Sequence, residues 1–291
     1  MKNIIAKYNN GDTIVTLYSD GSKERDISNG TFVEFPESLD IKITNWCDAA
    51  CTYCHENSTT RGKHGNLRPT IDLLKQLPAG SEIAIGGGHP LSHPEFNNFV
   101  KELSDSGIIC NVTINEFHFQ KERANLERLI TDGNIYGVGY SYSKIPCEWD
   151  YENLVTHVII GTTSYFELDN IIKNNNKKIL LLGFKKKTGR GDIFYRKNNE
   201  RVDKMITEWY AGLFNAVKKA HISFDNNAIH QLNPRRLFQS DAEYSQFFMG
   251  DDGSHSMYID AVKQEFSVSS TGVDRHSFMP SIKDMFSAVK R

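Results

Sequence analysis

From residue 39 to residue 226 short β-rich runs alternate with stretches of helical spacing. This alternation constrains the fold more than any other feature of the sequence. LDIKIT (39–44), SEIAIGGG (81–88), IICNVTIN (108–115), IYGVGYSYS (135–143), THVIIGT (156–162) and KKILLLGFK (177–185) read as strands, with HISFDN (221–226) as a seventh. TIDLLKQL (70–77), HPEFNNFVKELSDSG (93–107), QKERANLERLITDG (120–133), SYFELDNIIKNN (164–175) and VDKMITEWYAGLFNAVKKA (202–220) read as helices. In the second of these, Phe96, Phe99, Val100 and Leu103 share one face. Strands alternating with helices predict parallel βαβ units with right-handed crossovers, and this many units favour a full or partial barrel over a small open sheet. The expected fold is α/β, a partial (β/α)6-type barrel over 38–226.

Two flanking segments depart from this rhythm. Residues 1–37 predict a small β segment, with IVTLY and TFVEF as strands and NNGD and SDGS as turns. Residues 227–291 read as loops with a short hairpin and a helix near 280–290, an extension expected to pack on the barrel because no Gly/Pro-rich linker sets it apart.

Hydrophobic residues make up 39% and charged residues 24%, which suits a packed core and excludes a disordered chain. The net charge of −2 gives no global basic field for nucleic acid. No run approaches the ~18 apolar residues of a membrane span, and MKNIIAKYNNGD does not read as a secretory signal. The expected location is therefore the cytoplasm, where thiols stay reduced and clustered cysteines more often hold metal than form disulfides.

NWCDAACTYCHE (45–56) places Cys47, Cys51 and Cys54 in a C-x3-C-x2-C array immediately after the first barrel strand. Strand ends are where chemistry gathers in such barrels. Three thiols cannot all pair with one another. A zinc site would need a fourth ligand, for which His55 and His64 are candidates. A [4Fe–4S] cluster held by three thiolates would keep one iron open to a small molecule. The rest of the chain holds only Cys110, inside a strand and read as a small apolar filler, and Cys147, in the loop SKIPCEWD.

The cysteine array, placed after the first strand of a β/α barrel, resembles that of the radical S-adenosylmethionine (radical SAM) superfamily over roughly 38–226. The resemblance implies a [4Fe–4S] cluster on Cys47, Cys51 and Cys54, with S-adenosylmethionine (SAM) chelating the open iron. It also implies reductive cleavage of SAM to a 5′-deoxyadenosyl radical that takes hydrogen from a substrate, and an electron donor such as flavodoxin or ferredoxin. Tyr53, just before the third cysteine, would lie by the adenine. IAIGGGHP resembles the family's GGEP motif: Gly87, Gly88 and Pro90 match, and His89 stands where the family has glutamate, which moves the amino-group contact onto backbone carbonyls. Ser141 at the end of the fourth strand matches a ribose contact. Lys185 and Arg190, after the sixth strand, would anchor the SAM carboxylate or an acidic substrate group, whereas Lys186 and Lys187 read as a solvated loop.

Cys147 lies on the catalytic side and would be a candidate hydrogen-atom donor, with a spectator thiol as the plainer reading. Tyr140 and Tyr142 fit either the cavity or the core, and His55, His64, His89 and His93 crowd the same end of the barrel. MYIDAVKQEFSVSSTG is similar to the C-terminal extensions of peptide-modifying members, but no cysteine follows Cys147 to hold an auxiliary cluster. The expected substrate is a peptide or protein residue, with a nucleotide or small metabolite as the alternative. A non-catalytic zinc- or cluster-binding module is the rival from another class.

Overall fold

The computed structural model describes residues 2–173 and 177–290. The chain opens with a three-stranded antiparallel sheet: β1 (Ile4–Asn10), β2 (Thr13–Tyr18) and β3 (Lys23–Asp26). The expected strand TFVEF is irregular instead. The Asn10 side chain supplies its hydrogen bonds, accepting from the Glu34 and Phe35 amides and donating to the Phe35 carbonyl, while Val33 and Phe35 enter the core.

The βα rhythm follows. β4 (Ser38–Thr44), α1 (Leu67–Leu74), β5 (Glu82–Gly87), α2 (Phe96–Ser104), β6 (Ile109–Asn115), α3 (Glu116–Thr131), β7 (Gly137–Ser141) and β8 (Leu154–Ile159) come first. The short α4 (Leu168–Ile171), β9 (Lys178–Leu182), the long α5 (Gly189–Lys219) and β10 (His221–Phe224) complete it. The last two residues of the expected helix 164–175 lie outside the described residues, and α5 is kinked at Asn198. β4 to β10 are parallel and neighbour one another in chain order.

After α6 (Asn226–Leu232) and α7 (Asp241–Phe247) the chain returns to the sheet. β11 (Ser256–Asp260) pairs parallel with β4, and β12 (Glu265–Ser267) and β13 (His276–Ser277) follow antiparallel. α8 (Ile282–Val289) closes the described chain. The order is β10-β9-β8-β7-β6-β5-β4-β11-β12-β13, an open sheet with no closed barrel among the described residues. The C-terminal extension is therefore not only packed on the barrel. It supplies β4 with its second neighbour, a parallel pairing between segments so far apart that local patterning could not reveal it.

Period-two alternation divides each strand between two faces. Leu39, Ile41 and Ile43 of β4, Ile83 and Ile85 of β5, Val112 and Ile114 of β6 and Val138 of β7 are buried in the hydrophobic core with Phe96, Phe99, Val100 and Leu103 of α2. The opposite face carries Asp40, Lys42, Ala84, Gly86, Asn111, Thr113, Gly139 and His157, which line a cavity of about 730 Å³. A curled sheet with an apolar outside and a small, polar inside is the half-barrel that positions the site. At the strands' starting ends, Asp20 and Gly21 of the β2–β3 turn reach the cavity, and Tyr136 donates from its hydroxyl to the Ser19 carbonyl at 3.4 Å.

Candidate active site

The loop after β4 carries the three cysteines and is fixed by backbone bonds. Asn45 donates to the Lys63 carbonyl at 2.9 Å, Cys47 to Thr59 at 3.0 Å and Thr59 back to Asn45 at 3.1 Å. Cys47, Cys51 and Cys54 all line the cavity, and none is in a disulfide. Burial pushes the Cys51 thiol up, and charge on Cys54 and Cys47 adds to this, while Arg190 opposes it. Three such thiols gain from a cation placed between them.

Among the described residues no three Cys, His, Asp or Glu side chains converge as ligands of a single ion. A four-iron cluster does not require such convergence, because each thiolate binds a different iron. The donor set thus fits a cluster held at the cavity wall. His55 and His64, the candidate fourth zinc ligands, have other partners. His55 Nε2 lies 3.1 Å from Lys185 Nζ, and His64 Nδ1 lies 2.9 Å from Thr44 Oγ1.

The glycine-rich end of β5 wraps the root of this loop. Gly88 donates to the Thr44 carbonyl and His89 to the Trp46 carbonyl, both at 2.8 Å. Gly87 has φ +112°, and a Cβ at Gly88 would stand 2.1 Å from the Trp46 oxygen. Glycine alone permits both the conformation and the approach. Gly87 and Gly88 line the cavity. His89 is not among the lining residues. Its side chain is buried, and its ring stacks on His118 at 3.8 Å.

Tyr53 and Ser141 line the cavity, with Tyr53 packed edge-on against Phe194 at 5.9 Å. Lys185 also lines it and donates to Ser270 Oγ at 2.9 Å. Arg190 is placed differently from the expected carboxylate anchor. Its guanidinium donates to the carbonyls of Cys51 at 2.9 Å and Ser58 at 3.0 Å, so it holds the cysteine loop. Cys147, a candidate hydrogen-atom donor with a spectator thiol as the plainer reading, is 5% exposed and belongs to the core cluster. Burial raises its thiol to about 11, and it is not among the lining residues. The loop after β7 carries the thiol into the core that also holds Tyr140 and Tyr142.

Several lining residues escape motif reading. Asn115, the cap of α3, donates toward Cys51 Sγ at 3.9 Å. Asp40 and Asp225 face the cavity, and burial raises both carboxyl groups. Lys42 Nζ lies 3.0 Å from Glu56 and 2.5 Å from Asp260, and Tyr258 donates to Glu56 at 3.1 Å. Burial alone would raise the Glu56 carboxyl, but His55 and Lys42 bring it well below the usual carboxylate range. Counting by two back from Ser141 and Asn115 would have found Gly139, Gly137, Thr113 and Asn111. For β11, which brings Tyr258 and Asp260, the similarity of MYIDA to C-terminal extensions marked the segment but not its place beside β4.

No curated protein matches the chain. Among solved structures it is similar to Streptococcus suis SuiB bound to the precursor peptide SuiA: TM-score 0.60, 14% identity, 87% of this chain and 65% of that chain covered. It is also similar to SuiB bound to S-adenosylmethionine, with TM-score 0.55, 16% identity, and 88% and 66% coverage. The chain thus spans about 65% of SuiB's length in the first match, and at these identities the likeness is one of fold. The sequence profile described as the Radical SAM superfamily matches residues 41–139, from β4 through the cysteine loop and the GGG turn to β7. This match lies over the cysteine loop and the glycine-rich turn described above, so the part of the chain that carries them is similar to the radical SAM superfamily.

Proposed function

We propose that this chain is a radical SAM enzyme. It holds a [4Fe–4S] cluster on Cys47, Cys51 and Cys54, binds SAM in the half-barrel cavity and abstracts hydrogen from a peptide or protein residue. The observation that carries the reading is that the three thiols and the Gly87–Gly88 turn line one cavity. When bound, cluster and SAM together supply a 5′-deoxyadenosyl radical. The chain's own part is placement. Arg190 and the 45–63 backbone bonds fix the thiols, Gly87 and Gly88 leave room for close backbone approach, and Tyr53 and Ser141 offer an aromatic face and a hydroxyl. Lys185 supplies a cation beside Asp40 and Asp225. The cavity's volume is that of a small-ligand site. It would therefore admit a substrate side chain or a small metabolite beside SAM rather than a folded partner.

Support for a peptide comes from the fold neighbour SuiB, whose crystal structure contains its precursor peptide SuiA. The alternative substrate is a nucleotide or small metabolite, and a cytoplasmic electron donor such as flavodoxin or ferredoxin completes the reading. The test is anaerobic reconstitution with iron and sulfide, then dithionite and SAM, following 5′-deoxyadenosine by mass. Formation that is lost in Cys51→Ala supports the proposal. Zinc near one per chain, with no iron or sulfide taken up, would overturn it. Candidate peptides and nucleotides are then separated by which one transfers deuterium to deoxyadenosine.

A further inference from the structure

Beside the cysteine loop lies a group of side chains to which the cluster reading gives no role. Asp48 follows Cys47 directly, and its Oδ1 lies 2.6 Å from His118 Nε2. The His118 side chain is 4% exposed, while that of Asp48 is 42% exposed. His118 sits in the first turn of α3, whose start is set by Asn115 accepting from the Phe117 amide. Its ring lies flat on that of His89, with centroids 3.8 Å apart and planes 3° from parallel. His89 Nε2 is 3.4 Å from Glu122, and its Nδ1 is buried with no hydrogen-bond partner among the described residues. The residue standing in the glutamate position of the glycine-rich turn is thus turned toward α3, where it backs the histidine that grips the cysteine loop.

We propose that His118, seated on His89, is a positioning residue for the cluster: it fixes Asp48 and so sets the charge next to Cys47. The inference rests on the reading that Cys47, Cys51 and Cys54 hold a cluster. Asp48 is the chain neighbour of Cys47, so its carboxylate charge sits on the residue next to the first of the three thiols. Charge and hydrogen bonds around the sulfurs set a cluster's reduction potential. A carboxylate tied to His118 is partly neutralised, and a free one stabilises the oxidised cluster. An exposed ion pair contributes little by itself. Here one partner is buried and oriented by stacking, which makes the contact a fixed feature of the loop.

The test uses the full chain as wild type, His118→Ala, Asp48→Asn and the double variant, each reconstituted anaerobically. Iron per chain and the midpoint potential are read, the latter by mediated titration followed through the EPR signal of the reduced cluster. The potential should fall in His118→Ala and rise in Asp48→Asn. In the Asp48→Asn background, replacing His118 should produce no further shift, because the group through which it acts is gone. Unchanged potential in His118→Ala, or the same shift in both backgrounds, would overturn the inference even if iron uptake or melting temperature fell. If His118→Ala does not fold, His118→Asn replaces it in the same cycle and is judged by the same non-additivity. A wild type that takes up no iron would overturn the cluster reading itself, whereas a loaded wild type with additive variants would overturn only the role of His118.

Discussion

Arg190 donates from Nε to the carbonyl of Cys51 at 2.9 Å, so a side chain at the start of α5 holds the loop that follows β4. Its main-chain amide adds a bond to the Cys54 carbonyl at 2.9 Å, and Nη2 reaches Ser58. Arg190→Ala is expected to cost about 1–3 kcal/mol, the usual range for charge-assisted hydrogen bonds lost from a part-buried site. Arg190→Lys should not rescue it, because an ammonium cannot match the fork that reaches both carbonyls. Chemical denaturation of the apo chain reads the first effect, and iron retained after reconstitution should fall in both variants.

A methyl group at position 88 tests the glycine-rich turn. Gly88→Ala sets a Cβ against the Trp46 carbonyl, which is backbone and cannot rotate away. The expected result is a destabilisation of roughly 1–3 kcal/mol, typical of overpacking, together with weakened SAM binding. Calorimetric titration of SAM against the reconstituted variant would check this. Wild-type affinity would mean that the turn plays no part in holding SAM.

Lys42 tests the buried charge network. Its side chain is 7% exposed and faces Glu56 and Asp260, at 11% and 4%. Lys42→Ala leaves Asp260 without its cation and Glu56 with His55 alone, and should cost about 3–5 kcal/mol. Lys42→Ala combined with Asp260→Asn should recover part of that loss in the same urea titration.

The fourth prediction concerns pH. Burial lowers His157 from 6.5 to about 4, and burial with the neighbouring His118 does the same to His89. The unfolded chain therefore takes up protons between pH 6.5 and 4 that the folded chain refuses. Stability falls as pH drops through that window and levels off with respect to these groups below it. Each histidine contributes a slope of up to about 1.4 kcal/mol per pH unit. His157→Gln should flatten the curve by one such slope, measured as unfolding free energy against pH.

The βα core was legible because each strand of the half-barrel alternates and each helix shows a face, as in Phe96, Phe99, Val100 and Leu103. The cysteine loop and the Gly87–Gly88 turn were legible because their spacing is dictated by chemistry rather than by context. Arg190 was found as a residue but not in its geometry, since a side chain that leaves a loop by a sharp helix start can turn either way. Loop position left Cys147 open between a hydrogen-atom donor and a spectator thiol, and its burial in the core favours the spectator. The partnership of His89 with His118 joins a strand end to the next helix. No spacing rule connects those two positions.

β11 gives the fold a late dependency. β4 carries the cysteine loop, yet one of its flanks stays bare until Ser256–Asp260 has been synthesised and has found Ser38–Lys42. Pairings between such distant segments form slowly, and a bare parallel flank is open to wrong partners meanwhile. During translation the cysteine-bearing strand must wait until Ser256–Asp260 has emerged. Cluster insertion before that moment would load a loop whose supporting strand is only half seated, with Lys42 and Glu56 still lacking Asp260 and Tyr258.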